Sequence, residues 1–291
     1  MGGNAMAKVK VVTDSTADIP NELVEQLGIS VIPLNVHFGD EQFEDGVTLH
    51  PSEFYKRLKE TDVMPKTSQP SPQQFEDLYR SIATDETTEI LSIHLSSKMS
   101  GTTQAALIAK DALADELSIH VYDSKRASYA IGIVVVEVAR LAAQGADLKT
   151  CQARLDQLLN DATVYFMVDT LEFLQKNGRI GKASALLGSL LKMKPILSLT
   201  SEGEVYPHEK VRGQKKAVSR LMTLLHDQFG ENLVQVGISH AVNEELAQAL
   251  AEDVKQEFNV ESVVITEIGA VIGAHVGPGT VSLSMTNVDP N

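Results

Sequence analysis

Short apolar runs rich in β-branched residues alternate along this chain with amphipathic stretches of helical period, the pattern of βα units around a largely parallel sheet. Lys8 to Thr13 predicts a first strand. Asp18 is expected to cap the helix that follows, with Pro20 in its first turn. Val31 to Phe38 predicts a second strand, Ser52 to Glu60 and Pro72 to Ala83 two helices, Glu89 to Leu95 a strand, Thr102 to Asp115 a helix and Ile119 to Tyr122 a strand. Two helices follow, about Tyr129 to Ala143 and Leu148 to Leu159. The longest apolar run, Ala130 to Val136, is broken by Glu137 and Arg140. It falls well short of the ~18 to 20 residues that cross a bilayer, so it predicts a buried helix and no stable membrane insertion.

After Asp161 the composition changes. A strand over Val164 to Val168 leads into Lys176 to Lys194, rich in Gly and Lys. Strands near Ile196 to Leu199 and Val205 to Lys210 flank the turn Ser201-Glu202-Gly203. Helix Gln214 to Gln228, strand Val234 to Ser239, helix Glu244 to Glu257 and strand Ser262 to Glu267 close the pattern. The expected fold is α/β with two domains. Residues 7–160 form an N-terminal domain with a mainly parallel sheet and helices on both faces, and residues 161–291 a smaller α/β domain.

Charge narrows the partners. With 25 basic and 39 acidic residues the formal charge is −14, which repels phosphate backbones and anionic leaflets, so no nucleic acid partner is expected. The single cysteine, Cys151, can form neither an internal disulfide nor a cysteine zinc site. Met1-Gly2-Gly3-Asn4-Ala5-Met6 lacks a basic n-region and an apolar core, so no signal peptide is expected and the compartment is cytoplasmic by default.

Three strand-to-helix junctions are crowded with hydroxyls: Thr13-Asp14-Ser15-Thr16-Ala17-Asp18, Thr67-Ser68-Gln69-Pro70-Ser71-Pro72, and Ser96-Ser97-Lys98-Met99-Ser100-Gly101-Thr102-Thr103. In the second, Ser71 and Gln74 spell a capping box with Pro72 at the first helical position. In open α/β sheets ligands sit beyond the carboxyl ends of strands, where helix N-termini offer free N–H groups to an anion. Ser68 and Gly101 are secondary anion-site candidates, Gly101 because it lets a ligand approach the backbone. The plainer reading is that these hydroxyls only cap helices, and both readings stand at this point.

Phe173 to Ser201 carries Lys176, Arg179, Lys182, Lys192 and Lys194 ahead of any further acid. At its core, Lys176-Asn177-Gly178-Arg179-Ile180-Gly181, Arg179 offers a planar fork to an oxyanion. A solvated loop before an amphipathic helix is the alternative. Near the end, four glycines surround His275 in Gly269-Ala270-Val271-Ile272-Gly273-Ala274-His275-Val276-Gly277-Pro278-Gly279, which predicts a tight loop presenting an imidazole. No phosphate-binding loop, zinc HExxH, GxSxG elbow or dinucleotide fingerprint is present, and the hydroxyl loops contain no histidine to act as a base. These residues suit holding an anion better than breaking a bond.

With those segments in hand the chain resembles the DegV family, whose members include the fatty-acid-binding subunit of bacterial fatty acid kinases. The resemblance rests on DSTAD (Asp14 to Asp18), TSQPS (Thr67 to Ser71), LSSKMSGT (Leu95 to Thr102), Asp123-Ser124, NGRIG (Asn177 to Gly181), LLKMKPIL (Leu190 to Leu197) and AHVGPG (Ala274 to Gly279). The pieces occur in family order over nearly the whole chain from about residue 8.

The resemblance implies a two-domain α/β fold with an acyl chain buried between or within the domains. It implies that Thr67 and Ser100 hold a fatty acid carboxylate, while Arg179 and His275 flank the carboxyl end where a kinase ATP-binding subunit delivers phosphate to make acyl phosphate for phospholipid synthesis. On that reading the protein is a lipid-binding subunit and not an enzyme. It has no cofactor and no metal, and its ligand is a long-chain fatty acid. The alternative is a phosphotransferase or hydrolase acting on a small anionic substrate at the same loops, with Arg179, His275 and Asp14 as charge stabiliser, acid and base.

Overall fold

The computed structural model describes residues 9–188 and 194–288. Lys8, the opening Met1 to Met6, Lys192 and the Leu190–Met193 part of the LLKMKPIL motif lie outside the described residues.

The first half runs β1 (Val9–Asp14), α1 (Asn21–Leu27), β2 (Ser30–Ile32), β3 (Asn35–Phe38), β4 (Glu41–Glu44), α2 (Pro51–Glu60), β5 (Lys66–Ser68), α3 (Pro72–Ile82), β6 (Glu89–His94), α4 (Thr102–Ala112), β7 (Ser118–Asp123), α5 (Tyr129–Ala143) and α6 (Leu148–Asp161). The second runs β8 (Thr163–Met167), α7 (Glu172–Lys176), β9 (Lys194–Leu199), β10 (Val205–Val211), α8 (Gln214–Phe229), β11 (Leu233–His240), α9 (Glu244–Glu257), β12 (Asn259–Glu267), α10 (Ala270–Val276) and β13 (Val281–Asn287). Single 3₁₀ turns cover Ser15–Ala17 and Gly181–Leu186.

Three sheets result. One is fully parallel in the order β2-β1-β6-β7. The second is mixed, β10-β9-β8-β13-β11-β12, with β11 and β12 parallel and the other pairs antiparallel. The third is a small antiparallel sheet, β4-β3-β5. The fold is therefore mixed α/β.

α5 explains why its sequence is apolar nearly all round. It packs on β1 and β6 on one side and on β11 and β13 on the other, so both faces are buried. Its first residue, Tyr129, is gripped between two glycines. A Cβ at Gly132 would stand 2.5 Å from the ring, and one at Gly237 on β11 would stand 2.1 Å from it. The largest core cluster runs without a break from Val9 and Leu91 through Val135 to Leu197 and Ala274, so the two larger sheets share one interior. Among the described residues no helix is long and apolar enough to cross a membrane, and Cys151 is buried.

Several expectations need correction. The single strand expected over Val31 to Phe38 is two strands in different sheets, because Pro33 between them has no N–H to give a ladder. The expected tight loop around His275 is a helix, α10. Gly273 lies inside it for packing: a Cβ there would meet the Tyr55 hydroxyl at 2.6 Å and the Phe54 ring at 2.8 Å. β13 was not expected, although Val281-Ser282-Leu283-Ser284-Met285 alternates with the period of a strand.

Asp18 does not cap the helix after it; Pro20 stands at that cap position. Asp18 turns left-handed (φ 50°) and accepts the N–H of Gly269 at 2.8 Å, while Asp45 accepts that of Ala270 at 2.9 Å. The two carboxylates thus hold the start of α10 from more than two hundred residues away. Burial raises the Asp18 carboxyl well above its ordinary value. It pushes Asp45 up to about 6, against the opposing pull of the Ser15 hydroxyl and the Ala270 amide.

Candidate functional site

Each element places one polar group at a common point between the sheets. Thr67 sits on β5, opposite Val36 of β3, so the hydroxyl junction expected before α3 begins as an edge strand. The capping box then starts α3, with Ser71 Oγ accepting the Gln74 N–H at 3.2 Å and Gln74 Oε1 accepting the Ser71 N–H at 2.9 Å. Ser100 ends the loop after β6, just before α4. Its Oγ is 2.9 Å from Thr102 Oγ1 and accepts the Thr102 N–H at 3.4 Å. Arg179 follows α7. Its Nε donates to Met99 O at 3.0 Å and its Nη1 to Asn177 O at 2.7 Å, which ties the basic segment to the Ser100 loop. Asn177 Nδ2 in turn donates to Ala274 O at 2.7 Å, tying it to α10.

Thr67, Ser68, Ser100, Arg179 and His275 all line one cavity. Its atom-free space, counted together with the solvent-open mouth, is about 870 Å³. Away from these residues its wall is mostly apolar, with Leu34, Leu95, Val164, Phe166, Val271 and Ile272 among the residues that form it.

Thr67 Oγ1 lies 2.8 Å from His275 Nε2, across 208 residues of sequence. His275 Nδ1 is buried and has no hydrogen-bond partner. Burial first, and the nearby Arg179 charge second, lower the His275 pKa to about 4, so the ring is neutral near pH 7. A neutral imidazole carries one N–H. If it is on Nε2 it donates to Thr67, whose own proton is then free; if it is on Nδ1, Thr67 donates to Nε2 and Nδ1–H is free. In both tautomers the pair offers one free donor and no net charge. With the Ser100 hydroxyl and the Arg179 cation alongside, this end of the cavity can receive an anionic oxygen.

Other sequence candidates fall elsewhere. Ser68 lines the cavity, but its Oγ is 2.9 Å from His37 Nε2. Gly101 is not among the lining residues, and what approaches its backbone is Gln69: a Cβ there would lie 2.7 Å from Gln69 Nε2. In the basic segment Lys176 pairs with Glu172 at 2.5 Å and Lys194 with Asp169 at 2.7 Å, partners supplied by the acids just before it.

Asp14 is fully buried away from the cavity. Its Oδ2 is 3.0 Å from His94 Nδ1 and accepts the Leu95 N–H at 3.0 Å, while His94 Nε2 meets Ser92 Oγ at 2.7 Å. Among the described residues no cluster of three or more His, Cys, Asp or Glu could hold a metal.

Sequence reasoning missed Ser128 and Ser282, which also line the cavity. Ser128 follows the Asp123-Ser124 pair at another hydroxyl-bearing strand-to-helix junction, a signal of the same kind as the three already noted.

Relatives agree with this architecture over the whole chain. The model of the DegV family, described as a family of uncharacterised proteins, matches residues 8–287. A DegV domain-containing protein of Halalkalibacterium halodurans is 36% identical over 280 residues, covering 96% of this chain and 98% of that one. Among solved structures, a DegV family protein from Thermus thermophilus, described by its fatty acid binding, superposes with a TM-score of 0.90 at 34% identity over 97% of this chain and 100% of its own. DegV of Bacillus subtilis, described as a fatty acid binding protein, gives 0.86 at 34% identity over 98% and 100%. A stearic acid-binding protein of Eubacterium ventriosum gives 0.86 at 25% identity over 96% and 98%. The chain belongs to the DegV family.

Proposed function

We propose that this protein binds a long-chain fatty acid, with the carboxylate at Thr67, Ser100 and His275 and the acyl chain in the apolar remainder of the cavity. The observation that carries this reading is the convergence of Thr67, Ser100, Arg179 and His275 on one end of a single, mostly apolar cavity. The fatty acid binding described for the relatives from Thermus thermophilus, Bacillus subtilis and Eubacterium ventriosum supports it.

The energetics follow from the wall. Each buried methylene contributes on the order of 0.8 kcal/mol, so about fifteen give roughly 12 kcal/mol gross before the cost of ordering a flexible chain. The tail supplies affinity. The head group supplies orientation, since a buried carboxylate stays ionised only where donors or a cation meet it.

The protein acts as a carrier, presenting the carboxyl beside Arg179 and His275 to a separate kinase subunit for acyl phosphate formation, in the cytoplasm. The alternative phosphotransferase or hydrolase is disfavoured, because its base, Asp14, is committed to His94 away from the cavity.

Organic extraction of purified protein followed by mass spectrometry should recover a long-chain acid. Thr67→Val and Ser100→Ala should each weaken retention by about tenfold, the worth of one hydrogen bond to a charged group. Arg179→Ala should leave more of the binding intact and lower phosphorylation by the kinase subunit. An empty cavity that also takes up no added stearate would sink the reading.

A further inference from the structure

The cavity wall away from Thr67 and His275 is not uniformly apolar. Ser128 and Ser282 line it, and Ser239 lies fully buried between them. Ser282 Oγ is 2.6 Å from Ser239 Oγ, Ser239 Oγ is 3.1 Å from Ser128 Oγ, and Ser128 donates to Asp18 Oδ2 at 2.5 Å. The Thr280 hydroxyl nearby is turned back onto Val276 O and Gly277 O and belongs to the backbone. Ser128 also holds an unusual backbone, φ 56° and ψ −151°, where a glycine would be more comfortable. A serine kept in a glycine's conformation points to a use for its hydroxyl, and the use visible here is this chain of contacts.

Three hydroxyls carry three protons, and Asp18 Oδ1 is already occupied by the Gly269 N–H. With Asp18 ionised, the protons run from Ser282 to Ser239 to Ser128 to Asp18, and Ser282 is left with lone pairs to spare. With Asp18 protonated on Oδ2, which its raised pKa favours, the direction reverses and Ser282 is left with a spare proton. In either state the row ends on Ser282 with one unfilled polar valence at a largely apolar wall. A methylene cannot fill it. A hydroxyl can fill both versions, because it both donates and accepts.

The position along the chain follows from α10, whose Val271, Ile272, His275 and Val276 line the cavity along the helix. Asp18 holds Gly269 at the start of that helix and His275 stands near its end. Six residues at about 1.5 Å each separate them by about 9 Å. That is the Asp18 end of the row. At its other end Ser282 stands two residues, about 7 Å of strand, past Thr280, whose hydroxyl meets Val276 O beside His275. At roughly 1.2 Å per bond of extended chain, Ser282 lies about six or more carbons from a carboxylate at His275.

We propose that the preferred ligand of this cavity is an acyl chain carrying a hydroxyl near its middle, recognised by Ser282 at the end of the Ser128–Ser239–Ser282 row. This rests on the fatty acid reading above and names the class of acid within it.

The test is competition of stearate, 10-hydroxystearate and 18-hydroxystearate for the delipidated full-length protein. The mid-chain hydroxy acid should bind about tenfold more tightly than stearate, the value of one hydrogen bond made in a dry site, and the terminally hydroxylated acid should show no such advantage. In Ser282→Ala the ratio of the first two affinities should fall to about one, and in Ser282→Cys, a gentler change for a buried strand, to an intermediate value. Equal affinities for stearate and 10-hydroxystearate, as a trapped water satisfying Ser282 would produce, overturn the proposal while leaving fatty acid binding intact. So does an equal gain for 18-hydroxystearate, or a ratio untouched by both variants. Binding of none of the three acids overturns the fatty acid reading itself.

Discussion

Two histidines, one fully buried and one half-buried in the cavity wall, each beside a hydroxyl, set the frame apart from the candidate site. His94 lies in the parallel sheet with both ring nitrogens satisfied, Nδ1 by Asp14 and Nε2 by Ser92, which is itself 2.8 Å from the Tyr79 hydroxyl. Phe75 meets its ring edge-on at 5.1 Å. His275, in the cavity wall, has one nitrogen satisfied by Thr67 and the other by nothing. The first is complete without a ligand; the second is left with an open valence. The count of filled valences separates the two rings.

The largest expected effect breaks the frame. Asp14→Ala removes the partner of His94 together with the acceptor of the Leu95 and Thr16 amides. It should cost about 3 to 5 kcal/mol in urea unfolding, the usual consequence of stranding one member of a buried polar pair. A loss under 1 kcal/mol would remove the distinction between the two histidines.

A smaller effect lies at the far end of the helix that carries His275. The Asp45 pKa is raised in the fold to about 6 from 3.8, so its contribution to stability is full below about pH 4 and is lost as pH rises through 6. Asn stands for the neutral form. Asp45→Asn should therefore stabilise the protein by about 2 to 3 kcal/mol at pH 8, with the gain vanishing near pH 4. A gain that is the same at both pH values would mean that the carboxyl is not the cause.

The smallest effect sharpens the site. His275 is depressed to about 4 from 6.5, so between those values the unfolded chain takes up a proton that the fold refuses, and stability falls as pH is lowered through that window. A carboxylate in the cavity favours the imidazolium and raises the value. Imidazole nitrogen NMR should show His275 neutral at pH 5 in the delipidated protein and titrating higher once stearate is added. Titration curves that coincide with and without ligand would place the head group elsewhere.

What could be read in advance was what is encoded locally. Ser71, Pro72 and Gln74 spell a helix start within four residues, and that start is where it was expected. The unbroken apolar run from Ala130 to Val136 announced a buried helix, and α5 is buried on both faces. What failed depends on distant neighbours. Asp18 looks like a cap for the next helix, yet its carboxylate serves Gly269, 251 positions away. The glycines around His275 suggested a loop because their packing partners, Tyr55 and Phe54, are invisible from that segment. Asp14 gave no hint that its partner was a strand histidine 80 residues later. Ser282 was overlooked with the whole of β13, although its alternation was there to be read. Thr67, Ser100, Arg179 and His275 were picked out through the order of family motifs, and they line one cavity; no local pattern pairs Thr67 with His275.

The Tyr129 ring, pinched between Gly132 and Gly237, works as a rivet through the seam joining the parallel and mixed sheets. A methyl on either glycine would collide with the ring, so any larger residue at those two positions has to displace the start of α5.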